Sequence, residues 1–325
     1  MDQNKMINRS EVGFEDYGYL KKFVIDWSAK KKVLITGAQS YIGESFKCWA
    51  KKYYDKNIEV DTLDMKNNSW RRVDFSSYDC VLHVAGIAHV DTGKISADVK
   101  KNYYAVNTKL AIEAAKKAKG SGVKQFVLMS SMIIYGEPAA YGKYKNIDEH
   151  SMPSPSGFYG DSKWKADKMV RNLSNDDFHV AVLRLPMVYG KGAKGNYPVL
   201  SKIARKLPVF PDIDNRRSIL HIDNLCEFLC KLIVSGENGI YFPQNKKQAK
   251  TSDIVEAISV IVGKKIILTK SFNPLIGFIS HLPGRIPKLV NKAFGTITYS
   301  QTLSRYDGLE YQVNDWLQSI RLTEK

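Results

Sequence analysis

The chain has 325 residues, 44% of them hydrophobic and 25% charged, which is the composition of a globular protein with one large domain or two modest ones and a core of normal size. Its 49 Lys+Arg against 33 Asp+Glu give a net charge of +16, which favours an anionic partner: a diphosphate, a nucleic acid or an acidic membrane surface. The lysines are scattered and no nucleic-acid-binding motif accompanies them, so a nucleic acid is not expected. Residues 1–20 lack the apolar stretch of a secretory signal, no apolar run is long enough to span a bilayer, and Cys48, Cys80, Cys226 and Cys230 fit no zinc or redox spacing, so the expected setting is a reducing cytoplasm, with peripheral membrane contact left open and no metal.

Residues 1–30 are polar and aperiodic and read as an N-terminal extension. Val33-Leu34-Ile35 is a short apolar strand, broken at Gly37 and followed by a helical pattern from Tyr41 to Ala50. A second apolar segment runs from Ile58 to Leu63 and closes on Asp64. Cys80–Ala85 (CVLHVA) is a buried-strand pattern, residues 102–119 an Ala- and Lys-rich helix, and Phe126–Met129 a strand leading into Ser130-Ser131. After Pro153 and Pro155, residues 160–173 are helical and Val180–Leu185 is a further strand. Strands alternating with helices, and continuously apolar rather than alternating in polarity, predict a doubly wound α/β parallel sheet of the Rossmann type. The dinucleotide-binding part is assigned to 31–187, with strands returning to the sheet near 217–222 and 239–242; residues 188–325 are expected to build mainly a smaller C-terminal substrate lobe. Cys226 and Cys230, one helical turn apart in an apolar stretch, read as core.

The segment Thr36-Gly37-Ala38-Gln39-Ser40-Tyr41-Ile42-Gly43 lies between the first strand and the first helix. A glycine there lets the backbone approach a pyrophosphate, and the helix N-terminus offers free N–H groups and partial positive charge. Ser40 occupies the place where a middle glycine is common. Asp61 and Asp64 compete for the adenosine ribose, with Asp64 preferred because it ends the apolar run; either is compatible with NAD. Lys66, Arg71 and Arg72 would accommodate the extra phosphate of NADP, which stays as the alternative. Asp74, followed by Phe75, is a candidate for the adenine amino group.

Tyr159-Gly160-Asp161-Ser162-Lys163 puts a phenol and an ammonium one helical turn apart on one face. An unperturbed tyrosine titrates near pH 10, and a nearby ammonium together with a positive nicotinamide ring favours the phenolate, making it a general acid/base at neutral pH. Ser131, at the end of an apolar strand, is placed to hydrogen-bond the oxygen whose proton Tyr159 takes.

Thr36-Gly37 through Gly43, His83-Val84-Ala85-Gly86, Asn107, Ser130-Ser131 with Tyr135-Gly136, and Tyr159 with Lys163 together resemble the extended short-chain dehydrogenase/reductase family. Arg184-Leu185-Pro186, Val188-Tyr189-Gly190 and Arg217–Asp223 extend the likeness, which is similar to the sugar-nucleotide epimerase branch that includes UDP-galactose 4-epimerase and covers residues 32–260. The resemblance implies that Tyr159 is the acid/base, Lys163 binds the nicotinamide ribose, Ser131 orients the sugar hydroxyl, and His83–Gly86 and Pro186 line the cofactor. It implies a structural role for Asn107, a diphosphate contact for Arg217 and a substrate contact for Asn196. Met132 and Ile133 stand where related 4,6-dehydratases carry Asp-Glu, so dehydration is not expected, and Met187 replaces an Asn of UDP-galactose 4-epimerase, which puts the sugar or its carrier in question.

The activity implied is NAD-dependent C4 epimerisation of a diphosphate-linked sugar, a UDP-sugar first of all, through a 4-keto intermediate in glycan precursor synthesis. The alternatives are an NAD(P)H-dependent 4-ketoreductase, an epimerase of a polyprenyl-diphosphate-linked sugar, and a nucleotide-sensing regulatory protein. Residues 272–294, apolar with Arg285, Lys288 and Lys292 and broken by Pro283 and Pro287, belong to the substrate lobe, a homodimer contact or a membrane-surface contact.

Overall fold

The computed structural model describes residues 17–87 and 96–325. In chain order the first half forms β1 (Lys31–Thr36), α1 (Tyr41–Tyr53), β2 (Ile58–Leu63), β3 (Cys80–His83) and α2 (Ala97–Tyr103), which runs through a π-helical segment, Tyr104–Leu110, into α3 (Ala111–Gly120). Next come β4 (Gln125–Ser131), β5 (Asn146–Ile147), α4 (Phe158–Arg171) and β6 (His179–Leu185). The second half holds β7 (Met187–Tyr189), α5 (Asn196–Lys206), β8 (Val209–Pro211), β9 (Ile219–His221), α6 (Ile222–Ser235) and β10 (Gly239–Tyr241). It ends with α7 (Thr251–Ile261), β11 (Ile267–Thr269), α8 (Asn273–Ser280), α9 (Arg285–Phe294), β12 (Thr298–Tyr299) and α10 (Trp316–Glu324).

Six strands form one parallel sheet in the order β10-β6-β4-β3-β1-β2. Alternate residues of each strand enter opposite layers, as the pleat requires. Val33, Ile35, Leu82, Val127, Met129, Ala181 and Leu183 pack with Phe46 of α1 and Leu225, Phe228 and Leu229 of α6. Leu34, Val81, Phe126, Leu128, Val180 and Val182 pack with Ala111, Ala114, Ala115 and Ala118 of α3 and Ala166 and Val170 of α4. Both faces are covered, which is why the inner strands carry continuous apolar runs, while the edge strand β2 exposes Glu59, Asp61 and Thr62. Successive strands are added to one side of β1 (β2) and then to the other (β3, β4, β6), so the crevice beyond Thr36 and His83 is the switch point where a doubly wound sheet takes its ligand.

Cys226 and Cys230 are buried in the first of these layers. A separate cluster, built from Tyr189, Tyr197, Phe210, Ile219, Ile254, Val255 and Ile258, is the core of the second half.

Three sequence expectations are corrected. The segment near 217–222 does not return to the main sheet: β9 pairs with β7, Met187 opposite Ile219, in a sheet of two strands, and the edge position beside β6 is taken by β10. From Tyr17 onward the supposed extension is packed. Tyr17 bridges Ile240 of β10, and Tyr17 and Phe23 are buried against Phe242 and Tyr241. A three-residue edge strand exposes unpaired backbone, and the aromatic N-terminal segment covers it. The far C-terminal part is likewise not confined to a lobe, because Tyr306, Leu309 and Tyr311 pack in the layer beneath α6.

Candidate functional site

The loop between β1 and α1 is built for close approach. Gly37 has φ +115, and a Cβ there would lie 2.6 Å from the Ala85 backbone nitrogen, so no other residue fits between the two strand ends. Gln39 follows with φ 64 and is exposed. Ser40 caps α1, its Oγ accepting from the Gly43 nitrogen at 3.2 Å, and Tyr41 and Ile42 form the first turn, with Ile42 packed on the core. The capped helix start faces the switch point and leaves its outermost N–H groups available to an anion.

The Gly37 and Ala38 nitrogens donate to the Leu63 carbonyl at 2.9 and 3.1 Å, which brings the end of β2 against this loop. Asp64, the next residue, is exposed there. Asp61 lies further down the strand, opposite Leu34, and accepts from the Tyr78 hydroxyl at 3.0 Å. Of the two carboxylates, Asp64 thus lies beside the loop, while Asp61 is further from it and engaged by Tyr78. Arg71 is paired with Glu113 and lies 4.7 Å over the Trp70 ring, so it is already engaged. Asp74 is exposed and accepts from the Ser76 nitrogen and hydroxyl at 2.9 and 2.7 Å. The Phe75 ring is fully buried beneath α3 and cannot line a ligand; only its backbone remains as a contact.

His83 is buried at the end of β3 with Nδ1 2.8 Å from Thr36 Oγ1 and its Nε2 unpartnered among the described residues. Burial, helped by the Lys163 charge, pushes it down to about 3, so it is neutral at physiological pH. Val84 and Ala85 donate to the Thr36 carbonyl, both at 3.0 Å. Gly86 is exposed, and a Cβ there would lie 3.1 Å from Lys163 Nζ and 3.2 Å from Asn107 Oδ1. Asn107 clamps the same stretch, accepting from the Ile87 nitrogen at 2.8 Å and donating to its carbonyl at 3.1 Å.

Ser131, the last residue of β4, caps the short turn Met132–Tyr135. Gly160 of α4 packs onto that turn, its missing Cβ only 2.9 Å from the Ile133 carbonyl, and this contact brings Tyr159 beside Ser131. The Tyr159 phenol is hydrogen-bonded to Ser131, which pulls its pKa down, but burial outweighs this and raises it above 10.0. Desolvation is thus the largest effect on the phenol, and it is what the Lys163 ammonium and a positive nicotinamide ring would together have to oppose. Lys163 donates to the Met129 carbonyl at 2.9 Å and is lowered by burial from 10.5 to about 8. Tyr103, which the sequence reading did not single out, meets Tyr159 edge-on at 6.0 Å; a tyrosine inside an Ala- and Lys-rich helix carries no local signal of that contact.

Pro186 is buried between β6 and β7. Arg217 lies two residues before Ile219, whose partner Met187 lies two residues past Leu185, itself opposite Ser131. Its Nη2 donates to the Lys292 carbonyl, and its Nε is buried without a partner among the described residues. Burial lowers it from 12.5 to about 10, opposed by Glu137. Asn196 is exposed at the start of α5. Arg184, by contrast, is held by Asp167 at 3.0 and 3.1 Å and by the Tyr135 hydroxyl at 2.7 Å, all buried. The glycine-tight loop, the capped helix start with Asp64 beside it, and Gly86 with Lys163 against it are residues of the kind that could hold a dinucleotide.

The model of the NAD dependent epimerase/dehydratase family matches residues 33–242. The chain is 25% identical over 325 residues to UDP-glucose 4-epimerase of Vibrio cholerae, covering 90% of this chain and 98% of that one. It is 27% identical over 172 residues, half of each chain, to N-acetyl-alpha-D-glucosaminyl-diphospho-ditrans,octacis-undecaprenol 4-epimerase of Escherichia coli O157:H7. Among solved structures it resembles UDP-glucuronic acid 4-epimerase from Bacillus cereus in complex with NAD, with TM-score 0.65, 17% identity, and 90% and 95% of the two chains covered.

Proposed function

Because the chain belongs to the NAD dependent epimerase/dehydratase family, we propose that it is an NAD-dependent C4 epimerase of a diphosphate-linked sugar. The observation that carries this reading is the contact of the Tyr159 phenol with Ser131 at the mouth of β4, with Lys163 reaching from the same helix to the cofactor-side Gly86. Oxidised NAD, when bound, supplies an acceptor and later donor for the C4 hydride and a positive ring that favours the Tyr159 phenolate. Ser131 holds the 4-hydroxyl, Tyr159 takes its proton, and Tyr159 returns that proton once the 4-keto sugar has turned its other face. Lys163 binds the nicotinamide ribose and stabilises the negative charge that passes through the phenol. Gly37–Gly43 and Asp64 anchor the dinucleotide, Arg217 takes the diphosphate and Asn196 contacts the substrate. Met132 is buried and Ile133 apolar, so no acid follows Ser131 to expel a hydroxyl from C6.

The Escherichia coli relative is named for a sugar on undecaprenyl diphosphate. The roles above act on a sugar hydroxyl and a diphosphate, so they serve a nucleotide or a lipid carrier alike. Incubating the pure protein with a panel of UDP-sugars and no added cofactor is the test. Interconversion of C4 epimers, with NAD released in stoichiometric amount on denaturation, is the expected result. A nucleotide-free protein that oxidises NADPH only when given a 4-keto sugar would overturn it.

A further inference from the structure

We propose that the α8–α9 hairpin is a docking surface for an anionic lipid bilayer. Phe272, Leu275, Phe278 and Leu282 recur every three or four residues through α8 and the turn after it, and are 45%, 59%, 67% and 43% exposed. Ile286 and Leu289 form the matching stripe of α9, exposed by 65% and 54%. Soluble proteins leave single apolar residues on the surface, but two successive helices that both turn such stripes outward form a contiguous apolar patch of the kind that marks an interface.

Charge decides the occupant. From Ala257 to Arg305 the chain carries no Asp or Glu, while Lys264, Lys265, Lys270, Lys288 and Lys292 are exposed along it. A second copy of the chain would bring the same uncompensated positive charge to the contact, whereas an anionic bilayer accepts both the apolar stripes and the lysines. Among the described residues no helix is long and apolar enough to cross a membrane, so the hairpin lies on the surface rather than through it.

The hairpin is hydrogen-bonded to the Tyr141 loop and to Arg217 of the candidate site. The Tyr141 nitrogen donates to Asn291 Oδ1 at 2.8 Å, the Tyr141 hydroxyl donates to the Asn273 carbonyl at 3.2 Å, and Asn291 ties α9 to the Ser280 carbonyl at 3.3 Å. Arg217 donates directly to the backbone of α9 at Lys292. Docking would therefore fix the Arg217 side of the site at head-group level, where a lipid-borne diphosphate lies. That consequence for the substrate rests on the reading of Arg217 given above; the docking surface does not.

Flotation of the full-length protein with vesicles tests the surface. The protein is expected to rise with phosphatidylcholine vesicles containing roughly one third phosphatidylglycerol, and to stay behind with phosphatidylcholine alone. Phe278→Glu/Ile286→Glu and, separately, Lys288→Glu are expected to cut the bound fraction by about tenfold or more while nucleotide content and melting temperature stay unchanged. Failure of the wild type to float with anionic vesicles overturns the proposal. So does a double variant that floats as well as the wild type, or a wild-type dimer that Phe278→Glu/Ile286→Glu splits. Turnover of UDP-sugars in vesicle-free buffer reads the epimerase assignment independently, so loss of one result leaves the other standing.

Discussion

Replacing Lys163 with Met should leave the cofactor-free protein at least as stable near neutral pH while abolishing its chemistry. Burial lowers Lys163 from 10.5 to about 8, and its hydrogen bond to the Met129 carbonyl at 2.9 Å has not offset that desolvation. A shift of about 2.5 units corresponds to about 3 kcal/mol of disfavoured charge at neutral pH. Methionine fills the same volume without a charge, but leaves the Met129 carbonyl without its charged donor, a loss of about 1.5–3 kcal/mol. The variant should thus match wild type or exceed it by up to about 2 kcal/mol near pH 7. The sign with pH follows from proton counting. Between the folded pKa near 8 and the unfolded value of 10.5 the unfolded wild type binds more protons, so wild-type stability rises with pH across that window, and the variant lacks this rise. From about pH 7 to about pH 9.5 the variant should therefore lose roughly 2 kcal/mol relative to wild type. Urea unfolding of both nucleotide-stripped proteins at several pH values measures the difference, from which shared titrations cancel. A difference that stays flat with pH, or a variant well below wild type at neutral pH, would refute the account of Lys163 as a desolvated ammonium.

Tyr159→Phe should lower turnover by about 10²–10⁴ with the bound NAD and melting temperature retained, since the ring keeps its edge contact with Tyr103; activity within a few-fold of wild type would remove Tyr159 from the acid/base role. Arg217→Ala should raise KM with little change in kcat, because a diphosphate contact is made equally in ground and transition states; steady-state kinetics with an unchanged KM would show that Arg217 does not hold the diphosphate. Asp167→Asn leaves buried Arg184 without its countercharge and should cost about 3–5 kcal/mol in denaturant unfolding. A loss under about 1 kcal/mol would mean that Tyr135 and the surrounding rings hold Arg184 unaided.

The inner strands of the main sheet were legible because they are buried on both faces and so carry apolar runs, as in Phe126–Met129 and Val180–Leu183. Gly37 and Gly43 stood out for a reason that survives in the structure: a Cβ on Gly37 would meet the Ala85 backbone, and one on Gly43 the Ser40 hydroxyl that caps the helix. What was not legible is whatever depends on contacts distant in sequence. Nothing local in IleLeuHis at 219–221 tells it to pair with Met187–Tyr189 rather than with the main sheet. The aromatic run at Tyr17, Tyr19 and Phe23 looked polar on average because its partners, Tyr241, Phe242 and Tyr306, lie more than two hundred residues away. Asp61 and Asp64 could not be separated by composition, since the difference is that Tyr78 engages one and the phosphate loop abuts the other. The state of the Tyr159 phenol likewise depends on burial against the Ser131 hydroxyl, and only packing sets the size of the first.

Two arginines in the same half of the molecule show how the fold divides scaffold from site. Arg184 is fully buried, yet Asp167 meets its guanidinium at two nitrogens and raises its pKa. The same carboxylate also accepts from Arg171 at 2.9 Å and Ser130 at 3.0 Å, so the cluster ties β4, α4 and β6 together directly behind Ser131. Both Asp167 oxygens are taken up within the chain, by two guanidiniums and a hydroxyl. Arg217 is also mostly buried, but its pKa is pushed down to about 10, its Nη2 has only a carbonyl, and its Nε has no partner among the described residues. Lys163 repeats that state, lowered to about 8 with a carbonyl as its acceptor. A cation desolvated without a hydrogen-bonded carboxylate destabilises the fold, which makes it a candidate for meeting negative charge that arrives with a substrate. The diphosphate at Arg217 and the charge developing on the sugar oxygen at Tyr159, beside Lys163, are the two places in the proposed reaction where such charge appears, and these two cations flank them.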